Sequence, residues 1–104
     1  MENKALGLLG LARRAGKLSL GHDAVKAAVQ NGTACLCLLS SDASERLCAE
    51  MKRTLEQYES EAKFLKTDFT MDELGHSTGS KKTAVLAVLD RGFAEKITEL
   101  IWRD

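Results

Sequence analysis

At 104 residues the chain has the length of one domain, taken as residues 1–104, and its 44% apolar content is enough for an ordinary core without staples. No run of about 18 apolar residues is present to span a membrane. Met1-Glu2-Asn3-Lys4 lacks a basic leader segment and a signal-type cleavage site, so export is not expected and a cytoplasmic location is. Fifteen basic and fifteen acidic side chains cancel, unlike the basic excess usual in nucleic-acid binders.

The distribution of charge says more than its sum. Residues 1–41 carry five basic and two acidic side chains (+3), residues 42–80 five and nine (−4), and residues 81–104 five and four (+1). If the ends of the chain meet on one side, the domain is polarised.

No proline, repeat or linker interrupts the pattern, and helical and strand periods alternate. A first helix is predicted over about 3–15, with Leu8, Leu11, Ala12 and Ala15 on its inner face and Gly16 as its stop. Lys17-Leu18-Ser19-Leu20 reads as a short extended piece leading to Gly21. A second helix follows over about 22–31, burying Val25, Ala28 and Val29 and ending at Asn31-Gly32. The continuous apolar run 34–39 predicts a strand covered on both faces. Asp42 and Glu45 have capping-box spacing before a helix that carries Leu47, Met51, Leu55 and Tyr58 inward. A shorter strand is expected over 62–66. Thr70 and Glu73 form a second capping box, opening a short helix that stops near Gly75 or Gly79. Residues 84–89 predict another doubly covered strand, and Phe93, Ile97, Leu100 and Ile101 line one face of a last helix. This alternation predicts an α/β fold, a three-layer αβα sandwich around a mixed, partly parallel four-stranded sheet.

Most chemical motifs fail on inspection. Gly79-Ser80-Lys81-Lys82-Thr83 lacks the glycine spacing and preceding strand of a phosphate-binding P-loop. Glycines 7, 10 and 16 belong to a helix, which rejects a dinucleotide fingerprint. His22 and His76 have no companions at metal spacing, so neither a metal site nor a cofactor is expected. Cys35, Cys37 and Cys48 lie in apolar periodic segments and read as small hydrophobes in a reducing compartment. Asp42 and Glu45 could be an acid–base pair, but capping accounts for both. No catalytic grouping emerges, so the chain is expected not to be an enzyme.

One stretch remains, Gly21-His22-Asp23-Ala24-Val25-Lys26. A glycine before a helix admits another backbone closely, and the helix start offers unpaired N–H groups suited to a phosphate. On local spacing alone the signal is weak, and a plain helix start with solvated lysines is the favoured account.

The segment 8–17 (Leu-Leu-Gly-Leu-Ala-Arg-Arg-Ala-Gly-Lys), Gly21 and Gly32 eleven apart, Ser40-Ser41-Asp42-Ala43, and Glu73-Leu74-Gly75-His76 followed by Gly79 together resemble the kink-turn RNA-binding ribosomal proteins of the L-seven-Ae superfamily. The segment 88–94 (Val-Leu-Asp-Arg-Gly-Phe-Ala) looks especially like the bacterial branch called YlxQ. The resemblance spans essentially the whole chain. It implies a three-layer αβα domain that binds kinked RNA internal loops, with a glycine-led helix in the widened groove and a loop packed over a flipped-out nucleotide. The family's binders carry Gly-x-Asn-Glu with a lysine three residues later. This chain keeps Gly21 and holds Asp23, Ala24 and Ala27 at the other positions. Asp23 can accept from a base amine, and Lys26 lies about 100° around the helix from the lost lysine. Ser80-Lys81-Lys82-Thr83 replaces the family's apolar loop, which implies a phosphate clamp.

The expectation is therefore a non-catalytic protein binding structured, ribosomal RNA through Lys17, Gly21, His22, Asp23, Lys26, Gly79, Ser80, Lys81 and Lys82. Translation or transcription factors are further expected partners. The alternative is a protein-interaction module of the translation machinery that has lost RNA binding, its acidic stretch 56–61 facing a basic partner.

Overall fold

The two most apolar segments become the centre of the sheet, because only a strand covered on both faces can bury consecutive apolar side chains. A computed structural model describes residues 3–102; Met1 and Glu2, half of the segment read for a leader, lie outside the described residues. In chain order the elements are α1 (Lys4–Arg14), β1 (Leu18–Leu20), α2 (His22–Gln30), β2 (Leu36–Leu39), α3 (Glu45–Gln57), β3 (Lys63–Lys66), α4 (Met71–Ser77), β4 (Val85–Val88) and α5 (Arg91–Trp102). The sheet order is β1-β4-β2-β3, with β2 and β3 parallel and the other two pairs antiparallel.

Side chains alternate across β2 and β4 and so feed two cores. Cys37, Leu39, Val85 and Ala87 meet Val25 and Val29 of α2 and Met51 and Leu55 of α3. Leu36, Leu38, Leu86 and Val88 meet Leu9 of α1, Leu74 of α4 and Ala94 and Ile97 of α5. The result is the αβα sandwich, with two helices on one face and three on the other. Each fully buried leucine contributes about 1.5–3 kcal/mol. Burial also pushes the Cys37 thiol up to about 11, so this cysteine acts as a hydrophobe.

Helix ends follow the residues at their caps. The helix stops predicted at Gly16 and Gly32 are present with left-handed backbone. The capping box predicted at Thr70 and Glu73 is formed in both directions. The chain passes through Gly75 in helical form, and α4 ends at Ser77 with Gly79 as its left-handed stop.

Two expectations are corrected. The buried face of α1 is Ala5, Leu9 and Ala12, whereas Leu11 is 50% exposed. Leucines at 6, 8, 9 and 11 offer more than one helical phase, and the structure selects the one that brings Gly10 against α4. Asp42 does not cap α3. Ser44 does so, its Oγ accepting from Leu47 N, while Asp42 Oδ1 accepts from Met71 N at the start of α4.

Candidate nucleic-acid interface

One end of the sheet gathers the starts of α2, α3 and α4. Gly21 N donates to Val85 O, Ser40 N to Ala84 O and Thr83 N to Met71 O, so the turns after β1 and β2 and before β4 lie together. Aligned helix starts give this end a partial positive potential.

Gly21 is the N-cap of α2 at φ 92° and ψ 164°, a conformation essentially reserved for glycine. It brings no side-chain cap, so the first N–H groups of α2 are left for another acceptor. Across from it, the turn from Gly79 to Thr83 is held rigidly. Ser80 N donates to Gly75 O at 2.8 Å, and the Ser80 and Thr83 hydroxyls bond to each other at 2.9 Å. Gly75 makes that turn possible: a Cβ there would lie 1.6 Å from Lys81 O. Gly21 and His22 share with Ser80, Lys81 and Lys82 a groove of about 400 Å³, with Leu47 of α3 on its wall.

The electrostatics of this groove are mixed. Its exposed cations are Lys81 and Lys82, but Asp42 lies close enough to feel the charge of Lys82. Although the buried Ser40 hydroxyl makes no hydrogen bond of good geometry, it lies near Asp42. Together with the Met71 N–H and Lys82, it holds the Asp42 carboxyl below its ordinary value. His22 sits between two carboxylates, with Nδ1 3.0 Å from Asp23 Oδ1 and Nε2 2.5 Å from Glu50 Oε2. Hydrogen bonds to Asp23 and Glu50 raise its pKa above the ordinary 6.5, favouring the imidazolium.

The nine residues expected at the site are thus only partly assembled. Gly21, His22, Ser80, Lys81 and Lys82 line one groove. Gly79 stands behind it as the stop of α4. Asp23 and Lys26 are exposed on α2 outside the groove, Lys26 one turn beyond His22. Lys17 stands apart, because its carbonyl accepts from Leu89 N at the far end of β1, about 13 Å of extended chain from Gly21. Sequence reasoning missed Glu50 and Leu47 as groove neighbours. Glu50 lies 28 positions from His22, and no local period connects them.

Among the described residues no cluster of His, Cys, Asp and Glu could hold a metal ion, and no helix is long and apolar enough to cross a membrane. Residues 3–98 match the ribosomal protein L7Ae/L30e/S12e/Gadd45 family. The chain belongs to that family. Within it, the chain is of the YlxQ type. It is 37% identical to the RNA-binding protein YlxQ of Enterococcus faecium over 100 residues, covering 96% of this chain and 93% of that protein. The RNA-binding protein YlxQ of Bacillus subtilis (strain 168) is 36% identical over 94 residues, covering 90% and 91%. A solved structure of a protein with unknown function from Bacillus halodurans superposes with a TM-score of 0.85 at 36% identity, covering 96% of this chain and 98% of the other. The Giardia lamblia 15.5kD RNA binding protein shares the fold, with a TM-score of 0.74 at 15% identity, covering 94% and 82%.

Proposed function

We propose that this family member binds structured, kink-turn-like RNA without catalysis, as a cytoplasmic protein associated with the ribosome or translation. One observation carries the reading: the uncapped start of α2 and the lysine-bearing turn before β4 face one groove. N–H groups at a helix start and two ammonium groups opposite them are complementary to a ribose-phosphate chain. The names of the YlxQ relatives support the RNA-binding part of this reading.

The residues present define how such binding works. Lys81 and Lys82 are flexible point charges that hold phosphates. Asp23 can accept from an amine of an unstacked or sheared base, and Lys26 stands one turn along to meet the backbone beyond. Ala24 and Ala27 put no hydrogen-bonding side chain at two exposed positions of α2. Phosphate contacts therefore dominate, and binding is strongly salt-dependent.

Affinity for ribosomal RNA fragments, measured across salt concentrations, tests this. Changing Lys81 and Lys82 together to alanine is expected to weaken binding and lower the salt slope by about two. Unchanged affinity and slope would remove the turn from the interface.

A further inference from the structure

Beside the first groove, a second one of about 920 Å³ opens between α1 and α4. Ser80 and Lys81 line both, so the two concavities meet across a single turn. The second groove runs from Asn3 to Arg14, about 16 Å at the helical rise per residue. Its depth is set by two glycines. A Cβ on Gly10 would lie 2.8 Å from Ser77 O, so α1 and α4 cross in close contact there. Around the Cβ position of Gly7 there is open space beyond its own helix, so bare helix backbone lines the groove there.

Charged groups line this groove unequally. The side chains of Arg14 and Lys81 are exposed and make no hydrogen bond or ion pair among the described residues, and the exposed His76 stands with them. Glu73 also lines the groove, but its carboxylate accepts from Thr70 N at 2.9 Å and is engaged in capping. Both acids keep their negative charge, and Asp72 is the one whose side chain makes no hydrogen bond or ion pair among the described residues.

We propose that the α1–α4 groove is a second RNA subsite, in which a strand leaving the Gly21 groove crosses the Ser80–Lys81 turn and lays its phosphodiester backbone between Arg14 and Lys81. This rests on the RNA-binding reading above and extends it to a surface on the other layer of helices. Two features select an RNA strand as the occupant. The unpaired guanidinium and ammonium are complementary to phosphates, with Arg14 able to hold one by a two-pronged contact. The groove is also continuous with the one already assigned to RNA. Bare backbone at Gly7 lets a ribose approach without a side chain between.

The test uses the full chain and two probes: the shortest ribosomal RNA internal-loop fragment that the wild-type protein retains, and the same fragment with six unpaired nucleotides added at its 5′ or 3′ end. The wild-type protein should bind one extended probe more tightly than the short one. Arg14→Gln should cost about tenfold on that extended probe and lower its salt slope by about one, while leaving the short probe unaffected. Asp72→Asn should tighten binding of the extended probe, a gain that misfolding does not produce. Equal binding of short and extended probes, or an Arg14→Gln effect identical on both, would overturn the subsite and leave the first groove standing. Failure of the wild-type protein to retain any ribosomal RNA fragment would overturn both.

Discussion

Replacing Gly75 with alanine puts the largest mechanical demand on the interface from the smallest chemical change. The added Cβ would sit 1.6 Å from Lys81 O and 2.5 Å from Lys81 C, inside α4 where the helix backbone cannot turn away. Reaching even 3.0 Å requires the Lys81–Lys82 backbone to retreat by at least 1.4 Å. That movement breaks the Ser80 N to Gly75 O bond at 2.8 Å and the Thr83 N to Met71 O bond at 3.0 Å. Two backbone hydrogen bonds are worth about 2 kcal/mol together, and residual overpacking adds about 1–3 kcal/mol. Alanine's helix propensity returns about 1 kcal/mol. The net loss is about 2–4 kcal/mol, which lowers the melting temperature of a domain this size by roughly 10–25 °C. Thermal unfolding followed by circular dichroism measures it, with Gly7→Ala as the control. Gly7 lies in the exposed face of a helix with open space around it, so alanine there should gain up to about 1 kcal/mol. If both substitutions shift stability in the same direction, the close approach at Gly75 is not what holds the turn.

Glu59 occupies the left-handed position after α3 at φ 49°, where glycine is the unstrained residue. Glu59→Gly should therefore stabilise the fold by up to about 1 kcal/mol in urea unfolding, and a destabilised variant would contradict this reading. His22 should titrate above 6.5 when its imidazole is followed by nuclear magnetic resonance, and Glu50→Gln should move it downward. Because its folded-state pKa is raised, the stabilisation from this contact is fully present below pH 6.5 and is lost as pH rises through the folded value. A titration at the ordinary value, unmoved by Glu50→Gln, would mean that the contact does not form in solution.

Much of the fold was legible because its signals are local. Residues 36–39 and 85–88 are consecutive apolar positions that only a doubly covered strand accommodates, and Thr70 and Glu73 satisfy each other within one turn. Where several local solutions compete, the sequence does not choose. The leucines of α1 fit more than one phase, and Asp42 had capping spacing yet bonds to Met71, 29 residues away. Caps at Asn3 and Asp90 went unread, although Asn3 Oδ1 accepts from Ala5 N and Asp90 Oδ2 from Phe93 N. At the proposed site, Gly21 stood out by its place before a helix, whereas the lysines of the turn entered through the resemblance to the RNA-binding family. The Glu50 contact to His22 and the pressing of Lys81 against Gly75 arise from packing between elements, which periodicity does not encode. Lys17 belongs with the interface by sequence proximity but lies at the other end of β1.

Backbone amide shifts on adding a ribosomal RNA internal-loop fragment to the isotope-labelled protein address the central claim directly. The account predicts that the largest changes fall on Gly21, His22 and Asp23 together with Ser80, Lys81 and Lys82. Changes confined to the opposite end of the sheet, around Gly32 and Ser60, would contradict it, as would an unaltered spectrum.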